Sequence, residues 1–431
     1  MELIEMKFQV INLGCKVNAY EAESVAALLE ERGWTRIEDE SACDAVLIFT
    51  CAVTNTAAQK SRQMLHRAKR SNPNAVTAAV GCYAELDAEA MPEADIIVGS
   101  QNKHRIPDYI EQVQRDHQRI IRISDLSRPV EFEPLKMDHF EDQTRAYLKI
   151  QDGCNQFCSY CIIPYARGRE RSMAPEAAIQ EAVRLSQSHH EIVLAGIHTG
   201  RYGREYGVSL AQLMKRMLAS AEQLQRLRVS SIEMSELDEE FLELFASEPR
   251  IARHLHIPLQ SGCDSVLKRM NRPYDTQAYY DKINLIRRLV PEVSISADLI
   301  VGFPQETEEE FESTLAFVEK CQLSFLHVFP YSMRKGTPAA EMSGQIPNDI
   351  KKQRAARMIE RSHQLYDAYM DQWIGGDAEV LIESESEEES QGHASQYFPV
   401  RLNERAARGE LVDVHITGRE QHVLIAESAK K

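Results

Sequence analysis

Three apolar runs of strand length in the first part of the chain each end on a cysteine. Phe8–Leu13 stops at Gly14-Cys15, Ala45–Thr50 at Cys51 and Ala75–Gly81 at Cys82. Between them the period changes to that of a helix. Ala22, Val25, Ala26, Leu28 and Leu29 stripe a helix predicted from about Asn18 to Arg32, and a basic helix runs from about Thr56 to Arg70. A fourth run, Asp95–Val98, precedes a helix near Lys103–Val113. This alternation specifies an open parallel sheet with right-handed crossovers. Ligands of such sheets sit at the carboxyl ends of the strands, so Cys15, Cys51 and Cys82 are expected at one rim. Buried cysteines often serve as small apolar residues. Core packing alone gives them no reason to recur at the same rim of successive strands.

A second trio, Cys154, Cys158 and Cys161, forms a C-x3-C-x2-C stretch. A four-iron cluster takes about one thiolate per iron, so three cysteines leave one iron open, as a catalytic zinc site keeps one position open. A zinc knuckle would place a second ligand pair further on, and none follows. The β-α alternation resumes around this stretch. Strands are expected near Tyr147–Gln151, Glu191–Ile197, Leu227–Ile232, His254–Pro258, Ser294–Val301 and Phe325–Pro330. Helices intervene near 174–188, 209–222, 238–246, 274–289 and 307–320. Six βα units imply a partial parallel barrel, in which chemistry collects at the strand carboxyl ends. The C-x3-C-x2-C loop follows the first strand. Cys43, Cys263 and Cys321 have no partner at cluster spacing and are read as structural.

C-x3-C-x2-C with Tyr160 before its last cysteine resembles the signature of radical S-adenosylmethionine (SAM) enzymes. The flanking text, Tyr147–Cys154 and Pro164–Ser172, is similar to the methylthiotransferases of that superfamily, and the resemblance covers essentially the whole chain. It implies two [4Fe-4S] clusters and SAM as cofactors. Cys154, Cys158 and Cys161 would hold the cluster that cleaves SAM to a 5′-deoxyadenosyl radical. Cys15, Cys51 and Cys82 would hold an auxiliary cluster that carries the sulfur. Tyr160, Glu233, Gln260, Asp298, Ile300 and Val301 would bind SAM, and Arg167, Arg169 and Arg171 would contact RNA. Many relatives carry Gly-Gly-Glu after the second strand; here Ala195-Gly196-Ile197 supplies no acid.

Gly14-Cys15-Lys16-Val17-Asn18 resembles the branch acting on N6-threonylcarbamoyladenosine at tRNA position 37. That implies conversion of C2–H to C2–SCH3, with tRNA as partner and flavodoxin or ferredoxin as electron donor. Isopentenyladenosine-37 and a ribosomal protein are the alternative substrates. A zinc-bearing, non-catalytic RNA-binding protein is the alternative of another class.

At 431 residues the chain can bury two or three cores. The expected divisions are a sheet unit over 1–118, a linker over 119–145, the radical SAM core over 146–346, a helix over 347–372 and a small β-barrel over 373–431. The last is similar to the TRAM RNA-binding module. No run reaches the length of a membrane span and the nine cysteines are too scattered for a secreted framework, so a cytoplasmic enzyme is expected. The net charge of −16 leaves phosphate binding to local patches. Three are candidates: Lys60–Arg70, Arg167–Arg171 and Lys351–Arg361. In the tail, Arg401, Arg405, Arg408 and Arg419 would form a binding face if the acids of Glu383–Glu389 point away.

Overall fold

The computed structural model describes residues 6–39, 42–135 and 144–429. The N-terminal sheet has six parallel strands in the order Thr35–Arg36, Lys7–Asn12, Ala45–Thr50, Val76–Gly81, Ile96–Val98, Ile120–Arg122. Ala45–Thr50 is buried on both faces. Leu47 and Phe49 pack with Val25, Leu29 and Ile110 on one side, and Val46 and Ile48 with Leu65 and Ala68 on the other. The last strand corrects the linker expected from 119, because its first residues continue the sheet edge. Ile120 accounts for this by packing into the same core as Ile110.

Six further parallel strands form a half-barrel in two sheets. One has the order Arg226–Val229, Glu191–Ala195, Arg145–Lys149; the other runs His254–His256, Ser294–Val301, Phe325–Pro330. A parallel bridge from Leu227 to Ile251 and the bond from Ile232 N to His256 O (3.0 Å) join them. Alternation splits each strand. Leu148, Leu194, Leu227, Leu255, Leu299 and Leu326 face the outer helices in one large core. The alternate residues, Tyr147, Arg228, His256, Ser296, Asp298 and His327, face inward.

The helix Asn348–Asp371 leads to a closed five-stranded barrel of Asp377–Glu385, Ser390–Ala394, Pro399–Leu402, Val423–Ser428 and Leu411–Glu420. Sequence periodicity reveals four of these strands. Ser390-Gln-Gly-His-Ala has no apolar alternation and pairs because Gly392 lets the backbones meet, a Cβ there falling 1.9 Å from Leu381 O. No helix of the described residues is long and apolar enough to cross a membrane.

Candidate active site between the sheet and the half-barrel

The N-terminal sheet reverses its winding between Lys7–Asn12 and Ala45–Thr50, and such a switch point opens a crevice at the strand ends. Cys15, Cys51 and Cys82 follow three adjacent strands there. Cys15 caps the helix Lys16–Glu30 and is exposed, Cys51 is half-buried, and the buried Cys82 opens a short helix. Asn18 ties the loops together, donating to Thr50 O at 2.9 Å and filling the space over Gly14. The thiols lie within electrostatic reach of one another. Burial pushes Cys82 up to about 11, and the charges of Cys15 and Cys51 add to it while Arg167 opposes. Among the described residues no three His, Cys, Asp or Glu side chains converge on an ion-sized point. A four-iron cube spreads its thiolates over separate metal corners.

The second trio lies in a loop that needs unusual backbone. Gly153 has φ +72°, and a Cβ on it would fall 2.0 Å from Arg169 O; Phe157 adopts φ +46°. N–H groups already aim at the sulfurs. Gln156 N lies 3.3 Å from Cys154 Sγ, His198 Nδ1 3.5 Å from the same atom, and Arg272 Nη1 3.2 Å from Cys158 Sγ. Burial drives the Cys161 thiol up to about 12. His198 is buried between Glu236, 2.7 Å from its Nε2, and Glu170, 3.5 Å from Nδ1. Burial alone would lower its pKa, but Cys154 and the two carboxylates raise it to about 12, so it stands as a cation. This donor set fits thiolates bound to a cluster. His198, Arg272 and Glu236 are the residues that sequence reading missed. An isolated His or Arg without motif spacing carries no signal.

A cleft of about 220 Å³ opens beside Cys161. Tyr160, Gln260, Asp298 and Ile300 line it from the half-barrel, and Val53 and Thr54 from the loop after Cys51. Four of the six residues expected to bind SAM therefore share one wall. Gln260 sits there in a left-handed conformation, φ +68°. The other two do not line the cleft. Val301 is 1 % exposed and faces the outer core, since neighbouring strand residues point to opposite sides. Glu233 is ion-paired with Arg272.

The RNA-contacting arginines need correction. Arg169 is exposed, but Arg167 and Arg171 are buried in a seam between sheet and half-barrel, where no phosphate reaches them. Arg167 ends the helix Ile163–Arg167 just after Cys161. It donates from Nε to Cys82 Sγ at 3.0 Å and from Nη1 to Glu21 at 2.6 Å. Arg171 and Lys149 meet Asp152 at 2.9 and 2.7 Å, Lys149 also meets Glu21 at 2.5 Å, and Lys103 lies 3.4 Å from Glu21. Glu21, Lys103, Lys149 and Asp152 also escaped sequence reading, because only the docked surfaces bring them together.

The other patches divide. Arg354, Arg357 and Arg361 pair with Glu306, Glu308, Glu312 and Glu319 and fasten the helix Asn348–Asp371 to its neighbour. In the tail, acids and bases interleave: Arg401 pairs with Glu420, Arg405 with Glu385 and Arg419 with Asp371. On the helix Asn55–Ser71, Lys60 and Arg70 have no ion-pair partner among the described residues, and Arg62, Arg67 and Arg70 line a shallow groove with His66.

Residues 148–318 match the radical SAM superfamily, and residues 7–99 match the family described as uncharacterized protein family UPF0004. The chain is 42 % identical over 398 residues to the threonylcarbamoyladenosine tRNA methylthiotransferase MtaB of Bacillus subtilis, covering 90 % of this chain and 88 % of that protein. This chain is a radical SAM methylthiotransferase. The enzyme is also 34 % identical to a tRNA-2-methylthio-N(6)-dimethylallyladenosine synthase of Clostridium botulinum, over 95 % of this chain and 94 % of that protein. Its fold matches the radical SAM methyltransferase TsrM from Kitasatospora setae with a TM-score of 0.56 at 14 % identity, over 78 % of this chain and 77 % of that one. Membership implies a [4Fe-4S] cluster and SAM. The methylthiotransferase reading, made from the resemblance of the residues flanking the C-x3-C-x2-C stretch, agrees with these relatives.

Proposed function

We propose that this enzyme replaces C2–H of N6-threonylcarbamoyladenosine-37 in tRNA by C2–SCH3, using a second, auxiliary iron–sulfur cluster. The observation that supports this reading is the cleft lined by Cys161 on one side and by Val53 and Thr54, in the loop after Cys51, on the other. Cys154, Cys158 and Cys161 would hold the cluster that binds SAM, and Cys15, Cys51 and Cys82 the one that carries sulfur. When bound, these groups supply the radical and the methylthio group, which no side chain can furnish.

The chain's own residues do the rest. Arg272, His198 and Arg167 place cationic N–H groups on the thiolates and offset their charge. Tyr160, Gln260, Asp298 and Ile300 would orient SAM against Cys161. Arg169 and the Lys60–Arg70 face would take tRNA phosphates, and an anticodon-loop adenosine is already partly unstacked, which keeps the cost of flipping to a few kcal/mol. An enzyme of this kind works in the cytoplasm, with a flavodoxin or ferredoxin as reductant.

Mass spectrometry of tRNA nucleosides, with and without the enzyme, tests the proposal. Cys51→Ala should keep SAM cleavage and lose thiomethylation; Cys154→Ala should lose both. Normal thiomethylation by the first variant would refute the auxiliary cluster. Product on isopentenyladenosine alone would instead reassign the substrate.

A further inference from the structure

The turn after the short helix Asp264–Arg269 grips the C-x3-C-x2-C loop by its backbone. Met270 O accepts from Ser159 N at 3.0 Å, Arg269 O accepts from Ser159 Oγ at 2.8 Å, and Asn271 Nδ2 donates to Phe157 O at 3.1 Å. Asn271 takes a left-handed φ of +58° within this turn.

The next residue is Arg272, and each nitrogen of its buried guanidinium has a partner. Nη1 donates to Cys158 Sγ at 3.2 Å and Nη2 to Glu233, while Nε and Nη2 donate to the Tyr274 hydroxyl at 3.1 and 3.0 Å. Tyr274 in turn donates to Pro258 O at 2.8 Å, which fixes the guanidinium just past the strand His254–His256. One cation is thus shared between a cysteine sulfur and a carboxylate. The Glu233 carboxylate has no other hydrogen-bond partner among the described residues, and neither it nor Arg272 lines the cleft beside Cys161.

Reduction adds an electron to a cluster and its thiolates. Hydrogen bonds to the sulfurs and the charge around them set how readily that electron is accepted. A buried guanidinium on Cys158 favours the reduced state, and a carboxylate on the same guanidinium works against it. We propose that Arg272 and Glu233 together set the reduction potential of the cluster on Cys154, Cys158 and Cys161, Arg272 raising it and Glu233 limiting the rise. The inference rests on the proposed assignment of those three cysteines to the SAM-binding cluster. An opposed pair suits that task. Too low a potential would defeat the reductant, and too high a one would leave the electron too stable to break a bond of SAM. Arg272 and Glu233 are positioning residues, acting through Cys158 and not on substrate.

The test is a redox titration of the full-length enzyme with its clusters in place, followed by electron paramagnetic resonance without SAM. The signal that shifts when SAM is added identifies the cluster. Arg272→Met should lower the potential by roughly tenfold in the reduction equilibrium, about 59 mV for one electron, and Arg272→Lys should recover part of the loss. Glu233→Gln keeps the bond to Cys158 and should shift the potential the opposite way, with SAM affinity within about twofold of native. The double variant Arg272→Met/Glu233→Gln should return close to native. Shifts of one sign in both single variants would mark a packing effect and overturn the proposal. So would a Glu233→Gln variant of native potential that has lost SAM affinity, since Glu233 would then be a SAM ligand. Cys158→Ala should abolish the signal; its persistence would refute the cluster assignment and the inference with it. If the opposed shifts stand while the native enzyme fails to thiomethylate tRNA, the proposed reaction falls and the role of the pair survives.

Discussion

Two buried ion-pair seams hold this molecule together, and they are built to different ends. The half-barrel meets the C-terminal barrel through Arg145, Arg226 and Arg228 set against Glu191, Glu379 and Glu383. Leaving His393 aside, three cations face three carboxylates. The half-barrel meets the N-terminal sheet through Lys103, Lys149, Arg167 and Arg171 set against Glu21, Glu133 and Asp152. Leaving His104 aside, that is four cations against three carboxylates. Glu85 lies nearby, but the amides of Ser100 and Ser124 hold it and burial raises its pKa. The unbalanced charge of the second seam falls where Arg167 touches Cys82. A balanced seam docks a module; an unbalanced one leaves a cation for a ligand that the protein alone does not contain. A buried charge without a partner costs several kcal/mol, and a metal-bound thiolate would remove that cost.

The comparison breaks most sharply at Arg167. Arg167→Met strips Glu21 and Cys82 of their shared cation, and a fall of about 3–5 kcal/mol in denaturant stability is expected. Iron content should fall with it. If stability drops and iron does not, Arg167 is an ordinary docking residue and the two seams are alike.

At the other seam, Glu191→Gln leaves Glu379 and Glu383 to serve Arg226 and Arg145 but strips Arg228 of its carboxylate, and a cost of about 3 kcal/mol is expected. Limited proteolysis should then release the C-terminal barrel while iron content holds.

Acid should loosen both seams together. Burial pushes Glu21 and Glu191 up, but the cations around them win and hold each at about 2 against an ordinary 4.5. The folded state therefore binds fewer protons than the unfolded chain, and the stabilisation is complete above pH 4.5 and drains as pH falls toward about 2. Stability at about pH 3.5 should be lower by about 1–2 kcal/mol for each carboxylate, and Glu191→Gln should remove half of that dependence. The smallest effect is expected at the surface. Arg401→Ala breaks an exposed pair with Glu420 and should change stability by no more than about 1 kcal/mol.

Much of this was legible in the chain. The β-α alternation gave away the N-terminal parallel sheet and the half-barrel, because strand and helix periods are local properties of the side-chain order. The rim position of Cys15, Cys51 and Cys82 followed, since successive parallel strands end on the same side. Arg167 and Arg171 misled for a local reason too. A run of arginines beside a reactive loop looks like a phosphate site until their partners are known, and Glu21, the partner of Arg167, stands on the helix Lys16–Glu30 of the N-terminal unit.

By itself the sequence determined the strand and helix order, the two cysteine trios and the family. The first two depend on spacing along one chain, and the family on the resemblance of the residues around the second trio. Tertiary structure alone decided that Arg167 serves Cys82 and that Val301 faces the outer core while Ile300 lines the cleft. Those outcomes depend on which buried charges meet when separate surfaces dock, and the low dielectric of the closed seam makes each match or mismatch matter.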